Sequence, residues 1–252
     1  MTTHISLNDV HVRFPIIGAE ARSLKKAALS GVLNMTGGRK RMVGGHLSAT
    51  ETTTVVNALN GISLELNQGD RVGLVGHNGA GKTTLLRVMA GIYPPNSGSI
   101  HTTGRITSLL DIGLGINPGA SGRENIYLRA LYMGRPYRET ATVVDDIAEF
   151  AELGPFLDMP VRTYSSGMLT RLLFAIATAF RADILLLDEG IGAGDAAFAQ
   201  KAENRMQAFI DSAGILVVAT HDTSLLTTFC RDFIRLEAGR IVEHAPIELL
   251  AR

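Results

Sequence analysis

The 252 residues carry 24 Lys plus Arg against 24 Asp plus Glu, a formal net charge of zero, with a hydrophobic fraction of 46%. This balance excludes a disordered or low-complexity chain and gives no global field for nucleic acid or an anionic membrane, so any such contact must be local. Glycine is the outlier, since 27 of 252 residues is about 11% against roughly 7% in average usage, and that excess calls for tight turns or close backbone approach.

The N-terminal MTTHISLNDV lacks a basic stretch followed by an apolar run, so no secretory signal is expected. From Ile5 to Phe14 the chain alternates apolar and polar residues, as do ISLEL at 62–66 and RVGLV at 71–75, and these read as strands. Between the first two lies a segment of different character, 15–54. Its Arg22, Lys25, Lys26, Arg39, Lys40 and Arg41 face only Glu20 and Glu51, and it reads as a basic insertion. Leu24, Ala27, Ala28, Val32 and Met35 approximate one helical face, so two readings stand: a short amphipathic helix ending near Gly37, or a solvated loop with a basic edge.

The loop GHNGAGKT at 76–83 follows a hydrophobic strand and precedes a helix expected over Leu85–Ala90, which PPNSGS at 94–99 ends. It fits G-x-x-x-x-G-K-[ST] in the context that motif requires. Gly76, Gly79 and Gly81 let the backbone wrap phosphate oxygens, and the N–H groups from Gly76, His77, Asn78, Gly79, Ala80 and Gly81 through Thr84 line the positive end of the helix. Lys82 is expected to neutralise the β- and γ-phosphates of ATP, and the Thr83 hydroxyl to hold Mg²⁺.

From about 119 to 179 the pattern is helical, in three segments: SGRENIYLRALYMG, TATVVDDIAEFAEL and SSGMLTRLLFAIATAF. Then comes ILLLDE, a short buried strand closed by two carboxylates. Asp188 is expected to reach the metal from the side opposite the loop, and Glu189 to orient and deprotonate an attacking water. A helix over 196–210, a strand ILVVAT at 215–220 and a hairpin in FIRLEAGRIVEH complete the order, so strands alternate with helices and a parallel sheet covered on both faces follows. His221 closes its strand at the end where ligands bind in open α/β sheets and reads as a γ-phosphate sensor. Apolar runs such as LLFAIA stop far short of the ~20 residues that span a bilayer. The single Cys230 cannot pair within the chain and reads as a buried, inert thiol.

With YSSGM at 164–168, a helix after it and LLLDE beyond, the chain resembles an ATP-binding-cassette (ABC) nucleotide-binding subunit. That resemblance implies a P-loop NTPase with a RecA-like core, an N-terminal antiparallel β-subdomain and a helical insert, all in one ATPase domain. It implies that Ser165, Ser166 and Gly167 touch ATP bound to a second copy in a head-to-tail dimer, that Asp195 of GAGD crosses the same interface, and that Phe14 stacks on adenine. A strand-end core phenylalanine is the competing reading of Phe14. Two departures stand out. The common LSGGQ is YSSGM here, and Asp111 or Ile112 occupies the place of the usual Gln.

These departures, together with GINPGASGRENIYL, EFAELGPFLDMPVRTYSSGM and DEGIGAGDAAF, are similar to the ATPase subunits of exporters of O-antigen, capsule, galactan or teichoic acid. The subfamily implies an integral-membrane permease as partner, a lipid-linked polysaccharide as cargo and a peripheral place on the cytoplasmic face of the bacterial inner membrane. The basic insertion, near the permease mouth in that family, would suit the phosphate of such a lipid carrier. Some relatives carry a C-terminal carbohydrate-binding domain, which is not expected in a chain read to Arg252. Two further readings remain: a cassette ATPase for another exported or imported substrate, and a soluble, non-transport cassette acting on DNA or ribosomes. Neutral net charge disfavours the nucleic-acid reading.

Overall fold

The computed structural model describes residues 2–16, 46–50, 53–110, 112–188 and 196–250, with the backbone alone for 46–50, 53–54 and 196–197. Most of the basic insertion, together with Asp111, Glu189 and Asp195, lies outside the described residues. The chain forms two compact units: one of His4–Asn67, Arg71–Thr103 and Ala219–Arg252, the other of Met1–Thr3, Gln68–Asp70 and Gly104–Val218.

The unit that carries the glycine loop begins with an antiparallel sheet. Strand β1 (His4–Ile16) buries Ile5, Leu7, Val10 and Val12, each at 2% exposure or less. Its apolar spacing slips by one residue after Leu7, and the backbone follows: the register against its neighbours shifts there, with Asp9 at φ 49°. A Cβ at Gly98 would collide with the carbonyls of Asn8 and Asp9, so only glycine lets the adjoining strand pass this bulge. Strands β2 (His46–Thr50), β3 (Thr53–Asn67) and β5 (Ser97–Thr103) complete the order β2-β3-β1-β5. The last part of the expected insertion is thus a hairpin of β2 on β3, because Thr53–Val56 extends the ISLEL ladder, with Thr53 paired to Thr50 and 54–56 to Phe14–Ile16. Ser97–Thr103, expected to open as a turn, is strand from Ser97 onward through its pairing with β1.

Strand β4 (Arg71–Val75) pairs in parallel with β9 (Asp232–Glu237), which pairs antiparallel with β10 (Arg240–Pro246). Ala238 and Gly239, both at positive φ, make the two-residue turn between β9 and β10. Helix α1 (Lys82–Met89) buries Leu85, Leu86, Val88 and Met89. Helix α7 (Thr223–Phe229), not anticipated from the sequence, lies so close to β4 that a Cβ at Gly73 would stand 2.8 Å from Leu226 Cδ2.

In the second unit β6 (Ile106–Ser108) pairs in parallel with β7 (Ile184–Asp188), and β8 (Ile215–Ala219) follows in the order β8-β7-β6. The helical stretch resolves into α2 (Gly122–Tyr132), α3 (Tyr137–Ala141), α4 (Val144–Ala151) and α5 (Ser166–Ala177), with α6 (Ala196–Ser212) after β7. Ser121 and Glu124 form a reciprocal capping box at the start of α2. The expected single helix over 140–153 is broken between α3 and α4. There the Thr140 and Thr142 hydroxyls donate to the carbonyls of Pro136 (3.2 Å) and Glu139 (2.8 Å), which favours ending the first turn over extending it. Ile126, Ile147, Phe150, Leu172, Phe174 and Phe198 meet in this unit's core.

Candidate nucleotide-binding site

The phosphate loop is shaped by what its backbone cannot tolerate. Gly76 (φ 147°), Gly79 (φ 80°) and Gly81 (φ 112°) all occupy the left-handed half of conformational space. A Cβ on Gly76 would collide with the Leu236 carbonyl, and one on Gly81 would lie 2.8 Å from the Ala58 carbonyl and 3.2 Å from Leu59. The loop is therefore pressed against β3 and the β9–β10 turn. Two bonds hold it from behind: Gly239 N–H donates to the Ala80 carbonyl at 2.9 Å, and Asn60 N–H to the Gly239 carbonyl at 2.8 Å. Gly239 carries no motif of its own, and the hairpin read in FIRLEAGRIVEH gave no sign that its turn meets the loop.

Helix α1 has no side-chain cap, and its first intrahelical bond runs from Leu85 N–H to the Gly81 carbonyl at 2.8 Å. The amides ahead of Leu85 thus belong to a helix end suited to an anion. The buried Lys82 ammonium donates to the carbonyls of Gly76 (2.6 Å) and His77 (3.3 Å), which folds its positive charge back over the loop. Thr83 and Thr84 sit half-buried on the first turn, and His77, Asn78 and Gly79 are exposed at the rim. Glycines crowded from behind, an uncapped helix start and a buried lysine folded over the loop fit a triphosphate.

Phe14 lies in the same unit, half-buried, with its ring edge-on to Tyr93 at a centroid distance of 5.4 Å. His221 also belongs to it, exposed on the bend between β8 and α7. That bend is held locally: Asp222 N–H donates to Thr220 Oγ1 at 3.1 Å, and the Asp222 carboxylate caps α7 by accepting from Ser224 N–H at 2.9 Å. The Ser224 hydroxyl and amide hold the Asp222 carboxyl below the usual carboxylate range. Cys230 is buried beside β4, and burial pushes its thiol up to about 12, as expected of an inert cysteine.

The other residues expected to bind nucleotide or metal belong to the second unit. Asp188 ends β7, half-buried behind the fully buried Leu185 and Leu186. Ser165 is the N-cap of α5, its Oγ accepting from Met168 N–H at 3.2 Å, with Ser166 exposed and Gly167 half-exposed in the first turn. Tyr164 supports this turn. Its hydroxyl donates to the Phe156 carbonyl at 2.7 Å and stands where a Cβ of Gly122 would be, and burial raises its pKa. Ile112 is half-buried in the turn after β6.

Fold and loop together define a P-loop NTPase of the α/β class. A family model for the ABC transporter matches residues 59–192. The O-antigen export system ATP-binding protein RfbE of Yersinia enterocolitica is 48% identical over 243 residues, 96% of this chain and 98% of that protein. The O-antigen export system ATP-binding protein RfbB of Myxococcus xanthus is 44% identical over 177 residues, 70% of this chain and 40% of its own length. The teichoic acids export ATP-binding protein TagH of Enterococcus faecalis is 40% identical over 173 residues, 69% of this chain and 38% of its own length. Among solved structures, a dimeric post-hydrolysis state of the ATP-binding cassette MJ0796 bound to ADP and Pi superposes with a TM-score of 0.63 at 19% identity, covering 96% of this chain and 98% of that one. The chain belongs to the ABC transporter family.

Proposed function

We propose that this chain is the ATP-hydrolysing subunit of an ABC transporter that exports a surface polysaccharide, carried on a lipid, through a membrane permease. The observation that carries the reading is a phosphate loop complete in residue type and backbone shape, within a chain similar over 96% of its length to an O-antigen export ATP-binding protein. Among the described residues no helix is long and apolar enough to cross a membrane. In this reading the subunit works on the cytoplasmic face of the inner membrane and relies on a separate permease for the path.

Gly76, His77, Asn78, Gly79, Ala80, Gly81, Lys82, Thr83 and Thr84 bind the phosphates, with the Lys82 ammonium swinging from its loop carbonyls to the β- and γ-oxygens. Thr83 and Asp188 are the residues that would hold Mg²⁺, which when bound neutralises charge building on the transferred phosphoryl group. Glu189 orients and deprotonates the attacking water, and His221 senses the γ-phosphate. Phe14 stacks on the adenine. Ser165, Ser166 and Gly167 offer the exposed N-terminus of α5 to ATP held by a second copy, and Asp195 crosses between the two copies.

The test replaces Lys82 with Ala in the source cells and quantifies surface glycan alongside lipid-linked polymer inside. Loss outside with accumulation inside is the expected result. Normal surface glycan, with the variant inactive and no redundant exporter present, removes polysaccharide as the cargo. In purified protein, Glu189→Gln is expected to slow turnover by roughly 10²-fold or more while ATP still binds. Unchanged hydrolysis would take Glu189 out of its role.

A further inference from the structure

The turn that follows α1 is tied twice to the residues around it. After Gly91 (φ 70°) reverses the chain, Ile92 N–H and Tyr93 N–H both donate to the Arg87 carbonyl, at 2.9 and 3.2 Å. The Arg87 side chain returns the contact, with Nη1 donating to the Tyr93 hydroxyl at 3.1 Å and the guanidinium 5.6 Å from the Tyr93 ring centroid. Tyr93 is thus fixed through both backbone and hydroxyl to one residue of the helix that begins with Lys82. Pro94 and Pro95 stiffen the next step, and Asn96 then grips β1: its N–H donates to the His11 carbonyl at 2.8 Å, and its Oδ1 accepts from Arg13 N–H at 2.6 Å. Between these anchors the Tyr93 ring meets the Phe14 ring at an interplanar angle of 70°, the favourable edge-to-face arrangement.

We propose that Tyr93 is a positioning residue that holds Phe14 at a set distance from the phosphate-binding helix, so that the base and the phosphates of one nucleotide are gripped together. It rests on the reading of Phe14 as the adenine-stacking residue. The edge-to-face contact puts a ring at the far end of β1 in register with α1. Arg87 and Asn96 supply that register, one from the helix and one from the strand. Tyr93 therefore governs how much of the binding comes from the base, and leaves the phosphate cradle as it is.

The test titrates the full-length chain with Mg·ATP and with Mg·tripolyphosphate, a base-free probe of the same loop. Tyr93→Ala is expected to weaken ATP by about three- to tenfold, the scale of an aromatic pair, and tripolyphosphate by about twofold or less. Tyr93→Phe keeps the ring and is expected to restore most of the ATP affinity. Phe14→Ala is expected to weaken ATP, and Tyr93→Ala added to it to do little more, because the two residues act as one unit. Equal losses for both probes would mark Tyr93 as a mere support of α1 and overturn the proposal. So would full ATP affinity in Tyr93→Ala alongside a weakened Phe14→Ala. If Phe14→Ala itself binds ATP normally, the adenine reading of Phe14 is what fails.

Discussion

The two units solve the same problem, a precise loop before a helix, by opposite means. Before α1 the loop is shaped by excluded volume: Gly76 and Gly81 have carbonyls where side chains would go, and no side chain caps the helix. Before α2 the loop is shaped by polar side chains. The fully buried Asn125 accepts from Asn117 N–H at 2.8 Å and donates to the carbonyls of Asn117, Ala120 and Ser121, while the Ser121–Glu124 box closes the helix end. The two differ in what meets the leading amides: before α2 the Ser121 side chain takes the Glu124 N–H, whereas before α1 no side chain takes one.

The comparison breaks first at Gly76. Gly76→Ala is expected to lower ATP affinity by on the order of 10²-fold, since hydrogen bonds to charged phosphate at about 1.5–3 kcal/mol each depend on that backbone. Calorimetric titration against an unchanged circular dichroism spectrum checks this, and normal binding would mean that the loop moves off the Leu236 carbonyl at no cost.

A smaller effect, on stability instead of binding, is expected in the second unit. Arg135 is 4% exposed and donates to Glu139 Oε1 at 2.9 Å and the Arg181 carbonyl at 2.8 Å, with its guanidinium 5.2 Å from the Phe180 ring centroid. Arg135→Ala is expected to cost about 2–4 kcal/mol in urea unfolding, because it empties a buried site and removes the charged hydrogen bond to Glu139. An unshifted midpoint would reduce this network to surface decoration.

The smallest change sharpens the contrast. Ser121→Ala is expected to lower the Tm by about 2–4 °C at neutral pH. Bonds from the Ser121 amide and hydroxyl hold the Glu124 carboxyl below its usual value. A lowered folded value means that this stabilisation is complete above the unfolded carboxylate range and is lost as pH falls through the folded value. The gap between wild type and variant should therefore narrow in acid, and a gap independent of pH would separate the cap from its glutamate.

Much of the first unit was legible because its chemistry is written in local residue types. Gly-rich spacing, a lysine and a preceding apolar strand can be read without knowing what lies behind them. The long β3 was foreshortened because Thr53–Val56 looks like loop until β1 pairs with it, and α7 was missed because its seven residues carry little helical period. Asn125 on a helix and Arg135 just after it were unremarkable letters. Their roles depend on being buried, and no local pattern announces burial of a polar side chain.

Local backbone preferences within a few residues suffice for the phosphate loop, the strand before it, the helix after it and the helix that follows YSSGM. Only the tertiary structure decided that Gly239 locks the loop from behind, that Tyr93 and Asn96 join α1 to Phe14, and that a bulge at Asp9 keeps β1 in phase. Those contacts join residues far apart in the chain, and their physical basis, excluded volume and hydrogen bonds between separate elements, exists only once the elements are packed.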